Sequence, residues 1–236
     1  MQIEHSDFQD QLVRGLTHRM NNILTLFHGY LGLLLEDQKL DPPTLLGLGK
    51  IKEGARAASE LMDRTHSLAR PSTLIWREVN LGEFVRMLKP SFDAFCGPKT
   101  EVVLEIPDDL PPAWADASRV KTAVVEVVRN AIEASAAGGV VKIILNAVPA
   151  PSGTQAEKPL HWISLTVIDQ GPGITPAVGE RVFLPFYSTR KKRNATGLGL
   201  TVALSFIEQV GGIIRFTSEP GNTRFQLLLP CRSEAI

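Results

Sequence analysis

Phe8, Leu12, Leu16, Met20, Ile23, Phe27, Tyr30 and Leu34 recur at steps of three or four, the period of an amphipathic helix over residues 6–37. Asp41, Pro42 and Pro43 break the pattern. A second helix is predicted over 44–69, with Leu45, Leu48, Ile51, Ala55, Ala58, Met62, Thr65 and Leu68 inward and Lys52, Glu53, Arg56, Glu60 and Arg64 solvated. Two such helices make a hairpin that cannot cover both apolar stripes alone. A second copy, completing a four-helix bundle, is the expected solution, which makes the chain a homodimer.

The period changes after Pro71. A helix is expected over 81–95, a strand over 101–106, and a long helix over 117–137 that Asp116 or Ser118 can cap. Strands over 140–148 and 162–169 read as neighbours, joined by a Pro/Gly-rich segment, 149–159, expected to be a mobile surface loop. A helix over 198–210 and a hairpin of strands 213–218 and 223–229 close the chain. The class is α+β: a helical hairpin over 1–70, then an α/β sandwich over 71–236 with one helical layer on one sheet. No internal repeat or low-complexity tract interrupts it.

Composition adds mainly exclusions. The 236 residues are 44% hydrophobic and 21% charged, enough apolar content for a packed core. Lys+Arg 25 balances Asp+Glu 25, so no global field recruits nucleic acid or an anionic membrane, and phosphate binding must come from a local site. Cys96 and Cys231 stand far apart and read as a reduced buried thiol and a tail thiol, in keeping with a cytoplasmic location. The longest apolar stretch, 23–35, carries His28, Gly29 and Gly32 and is shorter than the roughly 20 residues that span a bilayer. No membrane insertion is expected. Only 17 residues precede His18, so the input is expected from a separate sensor protein or through the bundle.

The chemistry lies in four motifs in fixed order: HRMNN at 18–22, EVVRNAIEA at 126–134, DQGPGI at 169–174 and ATGLGL at 195–200, with VFLPFYSTR at 182–190 between the last two. Arg14, His18 and Asn22 follow at i, i+4 and i+8, which stacks the imidazole and the carboxamide one turn apart. Glu126 and Asn130 share one face of the long helix in the same way. Gly171 and Gly173 permit tight bends directly after Asp169. The basic run Arg190, Lys191, Lys192, Arg193 leads through Gly197, Leu198 and Gly199 into a helix N-terminus, where free N–H groups favour phosphate. An Asp-x-Gly-x-Gly turn alone is more often an ordinary loop; the ordered set is not.

In that order the motifs resemble the H, N, first glycine, F and second glycine boxes of two-component sensor histidine kinases, whose ATPase half is shared with gyrase, Hsp90 and MutL. The resemblance implies ATP and Mg²⁺ as ligands. It implies that Asp169 accepts the adenine amino hydrogen, that Asn130 holds the magnesium with Glu126 beside it, and that Glu126 polarises the attacking group. It implies a lid over the nucleotide from residues 187–196, Arg190 and Lys191 among them, with Gly197, Leu198 and Gly199 at the phosphates, and Phe183 and Phe186 as apolar supports. His18 is the implied phosphoacceptor, at its distal ring nitrogen, and the phosphoryl group passes on to an aspartate of a response regulator receiver domain. Asn22 matches the residue that orients water for dephosphorylating that regulator.

One position departs from the family. Relatives carry Glu or Asp directly after the phosphoacceptor, where it fixes the imidazole tautomer; this chain has Arg19, which only donates. Either another carboxylate substitutes, Glu126 being the one on offer, or the chain works as a dimeric phosphotransfer or phosphatase protein with weak autokinase activity. A phosphate-hydrolysing ATPase is the third class; the N-terminal hairpin argues against it.

Overall fold

The computed structural model describes residues 5–36, 40–69, 73–97, 100–135, 139–151, 161–189 and 196–231, with backbone only at 5–14, 60 and 66–69. Two units divide the chain, one built on residues 1–72 and the other on 73–190 and 197–236.

The first unit is a helical hairpin, α1 (His5–Leu35) and α2 (Pro42–Ala69). The prolines expected to break the chain start α2 instead. Leu45 N–H donates to the Asp41 carbonyl at 3.0 Å, so Pro42 and Pro43 occupy the first turn, where a missing N–H costs nothing. Asn21 Nδ2 reaches Asp63 Oδ1 at 3.4 Å and His28 Nε2 lies 3.3 Å from Ser59 Oγ, pairs whose opposite numbering makes the helices antiparallel. Leu24, Leu31 and Ala55 are buried between them, with Leu48, Ala58 and Met62 packed alongside. Leu16, Met20, Ile23, Phe27, Tyr30 and Leu34 of α1 are exposed in the single chain, on the stripe for which a second copy is the expected cover, and Leu45 and Ile51 of α2, expected inward, are exposed as well.

The second unit is the expected sandwich. Its sheet runs β2 (Thr100–Glu105), β4 (Gly139–Pro149), β5 (His161–Asp169), β7 (Asn222–Pro230), β6 (Ile213–Glu219), with β2 and β4 parallel and the other pairs antiparallel. The parallel pair spans α4 (Ala117–Ala134), which packs, with α3 (Leu81–Phe95) and α6 (Gly199–Gln209), into the helical layer. Val141, Ile143 and Leu145 of β4 alternate inward and are buried, as are Val120, Val124, Val127, Val128 and Ala131 of α4 and Val202, Phe206 and Ile207 of α6; α4 packs on β4 and β5, and α6 on α4 and β6.

Three short elements escape the sequence pattern: β1 (Arg77–Val79) and β3 (Ala113–Ala115), which form a separate antiparallel pair, and α5 (Pro176–Gly179). Of the two candidate caps for α4, Asp116 does the work, accepting from Ser118 N–H at 2.8 Å and Arg119 N–H at 3.3 Å. Pro149 is not loop but the last residue of β4, paired with His161; residues 152–159 of the expected mobile loop lie outside the described residues. Cys231 is not a tail thiol. It is buried at the sheet margin, where its N–H donates to the His161 carbonyl at 3.1 Å, and burial pushes the thiol up to about 11. Cys96 is only partly buried.

Candidate functional site

Asp169 closes β5 opposite Thr223 of β7, and both are buried. A strand end is where the pleat stops covering a side chain with its neighbours, and a turn must follow at once. The turn is held by Gly171 N–H, which donates to Asp169 Oδ1 at 2.8 Å. Among the described residues this is the only hydrogen bond given to that carboxylate. Burial raises the Asp169 carboxyl above the ordinary aspartate range, and the Gly171 N–H opposes the rise. The site therefore offers a nearly dry acceptor at the edge of the helical layer.

The glycines around it answer first to protein neighbours. A Cβ on Gly171 would lie 2.9 Å from the Ala134 Cβ at the end of α4, and one on Gly173, whose φ is +84°, 3.0 Å from the Glu219 and Pro220 backbone. Gly221 N–H donates to the Gly171 carbonyl at 2.8 Å and Ile174 N–H to Ser218 Oγ at 2.8 Å. These contacts clamp the turn onto the β6–β7 hairpin, so its glycines are needed for that clamp whether or not a ligand approaches.

The second glycine turn shows the same economy. Gly197 has φ +66°, and a Cβ there would come 2.5 Å from the backbone carbon of Phe186, itself left-handed at φ 61°. Leu198 is buried and precedes α6, whose first turn receives no side-chain cap. Thr201 Oγ1 donates to the Phe183 carbonyl at 3.0 Å. The two phenylalanines expected to act together part company: Phe183 meets the rings of Phe216 and Phe225 edge-on at 6.0 and 6.4 Å, whereas Phe186 is exposed. Arg190 and Lys191, with Lys192 and Arg193, lie outside the described residues.

On α4, Glu126 is buried and Asn130 is partly exposed one turn on. Glu126 forms an ion pair with Arg129, a residue that the motif spacing does not single out. A Cβ on Gly199 would meet Glu126 Oε2 at 2.6 Å, so the structure brings the carboxylate to the first residue of α6. Among the described residues no group of three His, Cys, Asp or Glu gathers as a metal cage. A magnesium at Asn130 and Glu126 would thus take most of its ligands from phosphate and water, as that ion commonly does.

In the helical unit His18, Arg19 and Asn22 are exposed. Asn22 Nδ2 lies 3.5 Å from His18 Nδ1, the limit of a hydrogen bond, so the carboxamide faces the nitrogen that the family's carboxylate would serve. No described helix is long and apolar enough to cross a membrane.

Residues 115–233 match the family described as histidine kinase-, DNA gyrase B-, and HSP90-like ATPase. The chain is 29% identical over 225 residues to sensor kinase CckA of Brucella abortus, covering 93% of this chain and 24% of that protein. It is 31% identical over 233 residues to the sensory histidine kinase/phosphatase NtrB of Escherichia coli O157:H7, covering 94% and 62%. It therefore spans less than two thirds of these relatives. The structure of full-length ShkA in complex with AMPPNP superposes with a TM-score of 0.76 at 21% identity, over 97% of this chain and 47% of that one. The Acinetobacter baumannii histidine kinase AdeS gives a TM-score of 0.61 at 21% identity, over 91% and 98%. At that identity the structural likenesses speak for the fold.

Proposed function

The chain belongs to the histidine kinase-, DNA gyrase B- and HSP90-like ATPase family, with sensor histidine kinases among its relatives, and from that premise we propose an ATP-dependent protein histidine kinase that autophosphorylates His18. The phosphoryl group then passes to an aspartate on a separate response regulator. ATP supplies the γ-phosphoryl group and Mg²⁺ neutralises charge on its phosphates. Asp169 accepts the adenine amino hydrogen, and Asn130 with Glu126 faces the magnesium. Arg190, Lys191, Gly197, Leu198 and Gly199 surround the phosphates, the last three through the uncapped N-terminus of α6.

The observation that carries this reading is the Asp169 carboxylate. A buried anion held by one protein N–H is costly unless a further donor serves it, and an exocyclic amine is such a donor. Asn22 orients water for dephosphorylating the regulator, and Glu126 serves as proton acceptor in place of the acid that Arg19 displaces. The exposed stripe of α1 supports a homodimer, and a receiver domain is the partner for phosphotransfer.

Calorimetric titration with Mg·ATP tests the nucleotide part. Asp169→Asn and Asn130→Asp are both expected to weaken binding while the protein stays folded. Unchanged affinity in both variants would remove the basis of the proposal.

A further inference from the structure

Glu126 and Arg129 stand three residues apart on α4 and pair through Oε2 and Nη2, with 8% and 27% of their side-chain surfaces exposed. The pair lies against the first residue of α6: a Cβ on Gly199 would be 2.6 Å from Glu126 Oε2 and 3.9 Å from Arg129 Nη2. That place is electrostatically particular. The N-terminus of α6, without a side-chain cap, favours an anion, and the anion found beside it is a carboxylate of the protein itself.

A phosphate arriving at this turn competes with Glu126 twice, for the helix N-terminus and for the guanidinium. Arg129 has five N–H donors in a fixed fork that fits one carboxylate or one phosphate in bidentate fashion. We propose that Arg129 is a positioning residue that exchanges partners, pairing with Glu126 when no triphosphate is bound and with the terminal phosphate of ATP when one is. This rests on the nucleotide reading above. The exchange releases Glu126 Oε2 from its cation only when a γ-phosphate is present. ADP, lacking that phosphate, leaves the pair intact. The same residue then separates substrate from product.

Binding of Mg²⁺ with a non-hydrolysable ATP analogue and with ADP, measured by calorimetry on the whole protein, separates this proposal from the parent reading. Arg129→Ala is expected to lose ~10- to 100-fold affinity for the analogue, the worth of one charge-assisted contact, and little for ADP. Arg129→Lys, which keeps the charge but not the fork, is expected to fall between. Glu126→Gln frees the guanidinium and is expected to raise the preference for the analogue over ADP. Equal effects on both nucleotides, or an unmoved preference in Arg129→Lys and Glu126→Gln, would overturn the exchange while nucleotide binding stands. A parental protein that binds neither nucleotide would overturn both readings.

Discussion

Burial at the end of β5 works against the charged form of Asp169, whereas an adenine acceptor needs that form. A carboxyl raised above its unfolded value of 3.8 binds its proton more tightly in the native state, so stability is lost as pH rises from 3.8 through the native value. Asp169→Asn removes that cost. The variant is expected to unfold at a higher temperature than the parent at pH 7, to lose the advantage on acidification, and to bind ATP more weakly. In the parent, ATP affinity should fall on acidification through the raised value. Thermal scans from pH 7 down towards 3.8 check this, and a lower midpoint at pH 7 would contradict it. Asp116 has the opposite sign. Burial works to raise its pKa, but the Ser118 hydroxyl and the N–H groups of Ile75, Ser118 and Arg119 outweigh it and lower the value. Its contribution is present above 3.8 and is lost as pH falls through the lowered native value. Asp116→Ala should cost about 1–2 kcal/mol at pH 7, as caps do, and less at pH 3, which urea unfolding measures. The sequence marks both aspartates by their neighbours. It does not mark Thr223, which becomes a site candidate only when β5 and β7 are paired in register, or Arg129, whose partner Glu126 is visible but whose meeting with Gly199 needs α6 folded back on α4.

At the scale of elements, periodicity finds the helices, and Leu48, Ala55, Ala58 and Met62 of α2 pack in the hairpin as expected, but it does not tell which apolar side of α1 the hairpin covers. Ile23, Leu24, Leu26, Phe27, Leu31, Leu33 and Leu34 leave α1 apolar around most of its circumference, so a stripe at steps of three or four fits more than one side. The hairpin buries Leu24 and Leu31, and the stripe through Ile23 and Phe27 faces outward, where a second copy is the proposed cover. The two faces predict different phenotypes. Ile23→Glu with Phe27→Glu should convert a dimer to a folded monomer in analytical ultracentrifugation. Leu24→Ala should instead destabilise the hairpin by about 2–5 kcal/mol while leaving the mass of the folded species unchanged. A monomeric parent at micromolar concentration would contradict the bundle. In the sandwich, the alternation over 101–106 was plain in the sequence and the cap of α4 was narrowed to Asp116 or Ser118, whereas β1 and β3, at three residues each, are too short to show a period. The glycine turns were legible as turns. Their packing against Ala134, Glu219, Phe186 and Glu126 was not, because each contact joins residues from distant parts of the chain.

For the molecule as a whole, the proposal requires a proton acceptor that the residue after His18 cannot be. A guanidinium has no acceptor, and removing a positioned base typically costs about 10²- to 10⁴-fold in rate. If Glu126 fills the place, Glu126→Gln should abolish phosphorylation of His18 while ATP still binds, and Arg19→Glu should leave the rate similar or raise it. Parental labelling in Glu126→Gln would leave the phosphotransfer or phosphatase reading in its stead. Whether His18 is phosphorylated at all is the claim beneath the rest, and one measurement addresses it directly. The whole protein is incubated with γ-labelled Mg·ATP, beside a His18→Gln variant, and the label is followed through acid and base. The account predicts a covalent label that acid removes and base does not, absent from His18→Gln. No label, or an acid-stable one that persists in His18→Gln, would contradict it.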